Sequence, residues 1–397
     1  MDFLGRLRRT RRRTRLLALG AAAVLAAGAA VGVPLATAEG GDPGARCRPA
    51  PAEARALARD PARATAALDP GADMGRIRSL ARLLRTSGHP LCPDTAGTGA
   101  AGRAVVAATT GRAAGDAHAP RRAHREAEAR VLYGVALLLS EARHSERLPD
   151  GLAPYVAEAL AAYIDDVRRA VRGAEDIDYR KPTRRPSRSD LVELRLGALT
   201  YGDEPHVAFG PFPGAEHTPY DRHGPNVSRL IRRLTPSPRA FATLYDAERA
   251  YFASYLEHLD DTARIPGART DDGRLDGTES EVRYTADLLG TLSRARENAV
   301  REGVISDPEA YDRAVLRHSR GVHRARDRQV RTRQPAVTLA QRRPSAPAGK
   351  GARAAERLLD GRIQMFGALD DWADARGIPD SSREQLRLGA LRAYLSA

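Results

Sequence analysis

The stretch SPRAFATLYDAERAYFASYLEHL, residues 237–259, decides the fold class of this chain. Its large apolar and aromatic side chains recur every three or four residues, which places them on one broad face of an α-helix. Ser237 followed by Pro238 predicts the start of that helix, because serine caps helix N-termini and proline fits the first turn. The apolar face comprises Phe241, Leu244, Tyr245, Phe252, Tyr255, Leu256 and Leu259.

Other segments repeat this helical periodicity, and no segment shows the convincing alternation of a β-strand. A capping box, Thr278-x-x-Glu281, and the pair Asp307-Pro308 predict two further helix starts. We therefore predict an all-α, multi-helix bundle-like domain. Its remaining predicted helices are short ones within 52–86 and longer ones over 121–144, 152–172, 353–376 and 380–396.

The first 38 residues predict export from the cytoplasm. Residues 1–15 carry seven arginines against one acid, residues 16–38 carry no charge, and Ala36-x-Ala38 fits a signal peptidase site. The arginine excess holds the N-terminus in the cytoplasm, so we expect the rest of the chain to be extracytoplasmic. The 23-residue apolar run also reaches the length of a transmembrane helix. The segment is therefore either a cleaved signal peptide of a secreted protein or a membrane anchor.

The chain has two cysteines, Cys47 and Cys92. An even number of cysteines in an exported protein is most simply explained by a disulfide, since oxidising compartments preserve such bonds. We therefore predict one disulfide between them.

Composition divides the exported part into successive segments. Residues 39–92 are predicted to form a small helical segment closed by the disulfide, and residues 93–119 are rich in Gly, Ala and Thr, which predicts a flexible linker. The main helical domain is predicted over 120–335. A second linker over 336–352 then precedes a C-terminal helical hairpin over 353–397.

The net charge of +14 is concentrated in two places. The leader carries +6, and residues 317–343 carry +8 from nine arginines and Asp327. This arginine stripe predicts an anionic cell-surface component or protein as partner. A solvated helix face that continues into a basic arm is the alternative. Nucleic acid is disfavoured, because aromatic residues do not interleave with the arginines. The candidate polyanion-binding residues are Arg320, Arg324, Arg326, Arg328 and Arg331.

The segment GDEPHVAFGPFPGAEHTPYDRHGPN, residues 202–226, is the candidate metal site. Imidazole and carboxylate groups are ligands that Zn²⁺ and related ions prefer. Their spacing matches no helical ligand pair, and the alternative is an ordered loop whose aromatic residues cover the helices. The candidate ligands are Glu204, His206, His217, Asp221 and His223.

The long helix carries the candidate catalytic residues His258 and Asp261 on one stripe with Tyr251 and Tyr255. A carboxylate beside an imidazole orients it as a general base. The alternative is that this stripe is the polar margin of a buried helix face.

No complete catalytic or cofactor motif is present in the sequence. The leading hypothesis is a non-enzymatic binding module, exported or membrane-anchored, for a protein or anionic surface partner. The alternative is a secreted metal-dependent hydrolase that uses the loop at 202–226. No cofactor is predicted, apart from the zinc or similar metal of that alternative.

Overall fold

The fold of the chain is that of a computed structural model. The structure describes residues 47–84, 90–94, 96–115, 124–141, 148–149, 151–172, 183–184, 206–207, 209, 224–258, 277–319, 322–325, 328–331 and 361–397.

The fold is mostly helical, as predicted. The helices of the first half are α1 (Ala54–Leu57), α2 (Pro61–Leu68), α3 (Arg78–Leu84), α4 (Thr98–Thr110), α5 (Glu126–Glu141), α6 (Ala153–Ala162) and α7 (Ile164–Arg172). Those of the second half are α8 (Val227–Leu234), α9 (Pro238–His258), α10 (Gly277–Arg301), α11 (Pro308–His318), α12 (Gly361–Arg376) and α13 (Asp380–Ser396).

Two short antiparallel ladders accompany the helices. Strand β1 (Thr183–Arg184) pairs with β2 (His206–Val207), with Thr183 opposite Val207. Strand β3 (Val322–Ala325) pairs with β4 (Arg328–Arg331), with Val322 opposite Arg331, and this hairpin lies against α9.

Two of the three predicted helix starts are confirmed, whereas α10 begins at Gly277, before the predicted cap Thr278. Pro238 and Pro308 are each the first residue of a helix. The Asp307 side chain accepts a hydrogen bond of 2.9 Å from the amide of Ala310, so it caps α11 as an N-terminal aspartate should.

Helices α4 and α9 organise the core. Helix α4 packs against α1, α2, α5 and α6, while α9 packs against α6, α7, α10, α11 and α12. Helix α6 touches both, so one hydrophobic cluster continues from the N-terminal helices to the C-terminal ones. Backbone contacts group residues 46–397 as one compact unit.

The prediction of a flexible linker over 93–119 is wrong for residues 98–110, which form the almost wholly buried helix α4. Small side chains let neighbouring helices approach closely: a Cβ on Gly102 would lie 2.4 Å from the Tyr155 ring. The threonines do not open the helix, because Thr109 and Thr110 donate to the carbonyls four residues earlier at 2.9 and 2.7 Å. Glycine, alanine and threonine here indicate close packing.

The predicted disulfide joins Cys47 and Cys92. Next to it, Arg48 and Leu91 form a parallel bridge, and the amide of Cys92 donates to the Arg48 carbonyl at 2.9 Å. The chain then turns into α4 at Gly97, where a Cβ would lie 2.2 Å from the Cys92 carbonyl oxygen. Only glycine fits this turn without displacing the disulfide.

The predicted leader at residues 1–38 and the predicted linker at 336–352 lie outside the described residues. Within the part of the chain that the structure does describe, no helix has both the length and the apolar character needed to cross a membrane.

Candidate functional site

Helix α10 has two chemically different faces. Its buried face carries Val282, Leu289 and Leu292 against the core. Another face presents Arg283, Asp287, Thr291, Arg294 and Asn298, spaced 4, 4, 3 and 4 residues apart, to an open pocket of about 490 Å³. This spacing keeps the five polar side chains on one stripe of the helix.

Two other helices complete the pocket. Helix α8 contributes Ser228 and Arg232, one turn apart, and the last turns of α13 contribute Arg392 and Ser396. Four arginines from three helices therefore line one cavity. We call it the arginine pocket, defined by Arg232, Arg283, Arg294 and Arg392.

Helix α8 is fixed by its cap and by its neighbouring arginine. The Asn226 side chain accepts a 2.8 Å hydrogen bond from the Arg229 amide and so caps the helix N-terminus. Arg233 is buried and donates to the carbonyl of Leu139 in α5. Because consecutive helical residues point in different directions, anchoring Arg233 inside leaves Arg232 exposed at the pocket.

Helix α13 is held very close to α10. A Cβ on Gly290 would lie 2.4 Å from the carbonyl oxygen of Tyr394, so glycine permits this approach. Arg294 also donates to the carbonyl of Leu395, which joins the two walls of the pocket.

Helix α10 is fixed on its other side by a buried ion pair with α11. Arg296 donates to both carboxylate oxygens of Asp312, at 2.7 and 2.6 Å, and both side chains are buried. Burial raises the pKa of Asp312 to about 6, and the hydrogen bonds from Arg296 oppose that rise. This contact sets the position of the helix that carries most of the pocket.

The arginine pocket has an excess of positive charge. Among the residues that the structure describes, Arg232, Arg283 and Arg392 form no ion pair with a carboxylate. Asp287 is the one acidic side chain in the described lining, so the lining side chains sum to +3.

The lining is rich in hydrogen-bond donors. Guanidinium groups donate in a planar fork that matches the oxygens of phosphate and carboxylate. Ser228 and Thr291 add hydroxyl groups and Asn298 adds an amide, while the Ser396 hydroxyl donates to the carbonyl of Ala393 at 3.0 Å. The chemistry that this arrangement supports is the binding of an anion by several charge-assisted hydrogen bonds.

A second polar cluster lies inside the helix bundle. The Arg168 side chain is fully buried and donates to Asp165 Oδ1 at 2.8 Å and to the hydroxyl oxygen of Tyr251 at 3.0 Å. Its guanidinium also stacks over the Tyr251 ring, 4.2 Å from the centroid. Nearby, Asp166 accepts a 2.8 Å hydrogen bond from the Val207 amide, which fixes β2 against α7. These contacts are structural, because they tie α7 to α9 and to the strand.

The predicted catalytic stripe is only partly described. Tyr251 is buried and accepts a hydrogen bond from Arg168. For this residue the structure fits the alternative, in which the stripe is the polar margin of a buried helix face. His258 is the last residue of α9, and the side chains of Tyr255 and His258 lie outside the described part of the chain, as does Asp261. General-base chemistry at His258 and Asp261 stays a prediction.

The predicted metal ligands lie almost wholly outside the described residues. His206 is placed in β2 by its backbone, while Glu204, His217, Asp221 and His223 are not described. Within the described ranges, no group of three or more His, Cys, Asp or Glu side chains could hold a metal ion. The zinc hypothesis stays a prediction.

The arginine stripe was predicted either to bind an anionic partner or to be a solvated helix face that continues into a basic arm. The structure gives part of it a strand backbone instead. Arg324 lies in β3, and Arg328 and Arg331 lie in β4. Arg320 and Arg326 lie outside the described residues. The prediction of a solvated helix face is therefore wrong for residues 322–325 and 328–331, because these residues pair as a hairpin. Polyanion binding by the arginine stripe stays a prediction.

Comparison of the chain with protein-family models, with curated proteins and with solved structures found no match. The class of protein is therefore set by its own features: a mostly helical unit with one disulfide and an arginine-lined pocket.

The sequence reasoning missed the arginine pocket. Its residues are spread from Ser228 to Ala397, and they come together only because α8 and α13 pack on α10. One local signal was present: the polar stripe at 283, 287, 291, 294 and 298 recurs at helical spacing. That stripe alone predicts an exposed helix face, and only the neighbouring helices make it the wall of a pocket.

Proposed function

We propose that this protein is a non-enzymatic binding module that holds an anionic ligand in the arginine pocket. The observation that carries the proposal is the convergence of Arg232, Arg283 and Arg392 on one open cavity without carboxylate partners among the described residues. Two arginines elsewhere in this fold do pair with acids, Arg130 with Asp69 and Arg296 with Asp312.

An anion would relieve an unfavourable arrangement. Like charges brought together by folding repel one another, and the positions of α8 and α13 bring these arginines to one cavity. A bound anion replaces that repulsion by charge-assisted hydrogen bonds, which are about twice as strong as neutral ones. Binding should therefore stabilise the folded protein.

The same proposal places the binding module outside the membrane. The arginine-rich leader with its uncharged run supports export, and the disulfide between Cys47 and Cys92 fits an oxidising compartment. A ligand there would be an anionic component of the cell surface. If the leader is not cleaved, it would anchor the protein in the membrane, next to such a surface component.

The test measures the thermal midpoint and calorimetric binding of the full chain with inorganic phosphate and pyrophosphate. Phosphate at about 100 times its dissociation constant should raise the unfolding free energy by about 2.7 kcal/mol. The double variant Arg283→Gln, Arg294→Gln should lose the response, because it removes two of the four pocket cations. High salt should weaken binding by screening.

The matched control is Arg229→Gln. Arg229 is exposed on α8 and is not part of the pocket lining, so this change removes one positive charge outside the pocket, half of what the double variant removes, and leaves the pocket intact. Its response to phosphate should equal that of the wild type. The proposal fails if neither anion shifts the midpoint, or if the double variant responds as strongly as Arg229→Gln.

A further inference from the structure

The exposed face of α13 carries an apolar stripe beside the arginine pocket. Leu388 and Leu395 lie two helical turns apart, and they are 43% and 60% exposed. Leu391, which is half-buried, lies between them on the same side of the helix. Among the residues whose exposure the structure describes, Leu388 and Leu395 are the only exposed large apolar side chains. They form one patch rather than scattered positions, and apolar patches mark contact surfaces.

Two features join this leucine stripe to the arginine pocket. Arg392, which lines the pocket, lies four residues after Leu388 and three before Leu395, so it stands on the same face of α13. Arg294, in the pocket wall, donates a hydrogen bond to the carbonyl of Leu395. The surface therefore presents leucine side chains and guanidinium groups side by side.

The part of α13 that carries the stripe has no acidic residue. The acids of α12 and α13 all lie within 370–384, whereas residues 385–397 hold two arginines and neither aspartate nor glutamate. Arg387 pairs with Asp370, but Arg392 is exposed and pairs with no carboxylate among the described residues. The leucine stripe and the unpaired positive charge thus occupy the same end of the helical hairpin.

We propose that this face docks on an anionic lipid membrane, with Leu388 and Leu395 at the headgroup boundary and the arginine pocket on lipid phosphates. The inference rests on the proposed function and names the source of its anion. Leucines beside arginines on one helix suit a membrane interface, because burial of apolar side chains and attraction to anionic lipids add together. The predicted export would place the domain on the outer side of a membrane, within reach of such headgroups.

The size of the stripe favours a lipid surface over a protein partner. Stable protein interfaces bury about 800 Å² on each partner, around aromatic or large aliphatic anchors. Two exposed leucines offer only a small part of such an area. A fluid lipid surface needs no matching shape, so each inserted side chain contributes on its own. Each arginine near an anionic surface strengthens binding about fivefold in addition.

The test places a tryptophan in the stripe, as Leu395→Trp in the full chain, and measures its quenching by brominated lipids. The vesicles contain equal parts of phosphatidylcholine and phosphatidylglycerol. Bromine on the acyl chains quenches only indole groups that reach them, so the signal reports this face whether or not the leader inserts. The matched control is Ala375→Trp, an exposed position on α12 beside Asp374. Leu395→Trp should be strongly quenched, and Ala375→Trp no more than the wild type, in which Trp372 is the single tryptophan.

Variants made in the Leu395→Trp protein separate the two contributions. The docking constant is the ratio of quenched to unquenched molecules. Leu388→Ser should lower it about tenfold, because one apolar side chain is no longer buried. Arg392→Gln should lower it about fivefold, and vesicles of phosphatidylcholine alone should lower it at least as much. Arg63→Gln, at an exposed position on α2, is the charge control and should leave it nearly unchanged. The thermal midpoint of each variant reports whether it folds.

Each outcome decides between the possibilities. If Leu395→Trp is quenched no more than Ala375→Trp while phosphate binds to the pocket, lipid docking is overturned and the proposed function stands. If Leu388→Ser and Arg392→Gln change docking no more than Arg63→Gln does, this face is not the docking surface and the inference is overturned as well. A lipid-free dimer that Leu388→Ser, Leu395→Ser converts to a monomer would assign the face to a second copy instead. If neither phosphate nor vesicles bind, both proposals fail.

Discussion

Asp69 shows how one residue couples charge to fold stability. Arg130 donates to both of its carboxylate oxygens, at 2.9 and 2.8 Å, and the Gly71 amide donates to it at 3.0 Å. Burial alone raises the pKa of Asp69, but these hydrogen bonds and the Arg130 charge outweigh it, so the pKa is lowered from 3.8. This pair ties the turn after α2 to α5.

Asp69→Asn should therefore destabilise the protein in a pH-dependent way. At pH 7 we expect a loss of about 2 kcal/mol, the usual worth of hydrogen bonds to a charged group. A folded-state pKa below the unfolded value means that the stabilisation is present above about pH 4 and is lost as the pH falls through the lowered pKa. Urea unfolding of both proteins at pH 7 and near pH 3 measures this, with the difference shrinking in acid.

The control for Asp69 is an exposed ion pair. Glu309 and Arg313 lie 3.3 Å apart on α11 with both side chains mostly exposed, so Glu309→Gln should cost less than about 1 kcal/mol at any pH. A wild-type-minus-Asp69→Asn difference that stayed constant from pH 7 to pH 3 would show that packing, not charge, accounts for the effect.

At the scale of elements, the contact between α10 and α13 forms the wall of the arginine pocket. Gly290→Ala would place a Cβ 2.4 Å from the Tyr394 carbonyl oxygen and 2.8 Å from the Ala397 Cβ. Backbone cannot yield as a flexible side chain does, so α13 must shift. We expect a destabilisation of about 1–3 kcal/mol, together with weaker phosphate binding, because Arg392 and Ser396 move with the helix. Denaturant unfolding and calorimetry measure the two effects.

Gly367→Ala on α12 is the matched control for that helix contact. Among the described residues, none has an atom within 4 Å of the added Cβ, and Gly367 is also an interior helical glycine. Alanine is a better helix former than glycine by up to about 1 kcal/mol, so this variant should be as stable as the wild type or more stable. Equal behaviour of the two glycine variants would remove the argument for a close α10–α13 contact.

The elements also show which parts of the fold sequence reasoning reaches. Helices with a long apolar stripe and a specific start were predicted closely: α9 begins at Pro238 and α13 spans 380–396. Helix α4 was missed because its small residues signal close packing only once Tyr155 and other neighbours are known. Helix α8 was missed although Val227, Leu230, Ile231 and Leu234 recur at helical spacing, since eight residues are too few to stand out beside a long loop.

The candidate site was less predictable than the fold for a related reason. Helical periodicity is local, whereas the arginine pocket joins Arg232, Arg283 and Arg392, which are far apart in the chain. The predicted metal segment at 202–226 and the arginine stripe at 317–343 are clusters of residues that are close in the sequence. Closeness in the sequence does not by itself create a pocket. What brings the pocket together is the packing of α8 and α13 on α10, which depends on Gly290 and the buried faces of all three helices.

At the scale of the whole molecule, the disulfide helps to stabilise the short N-terminal helices α1, α2 and α3. Cys47 and Cys92 enclose α1, α2 and α3, with a sequence separation of 45 residues. These helices are short, at four, eight and seven residues, and isolated helices of such length are unstable in water. Their stability therefore depends on packing against α4 and α5, which the covalent link keeps within reach.

Reduction should expose that dependence. In the chain-entropy description, closing a loop of this size stabilises the folded state by about 4 kcal/mol, because it restricts the unfolded chain. We expect reductant, or the double variant Cys47→Ser, Cys92→Ser, to lower the urea midpoint of the full chain by a corresponding amount. Reductant should have no further effect on the double variant, which controls for indirect action of the reagent. A wild-type midpoint that did not change on reduction would mean that packing against α4 and α5 holds these helices without help from the disulfide.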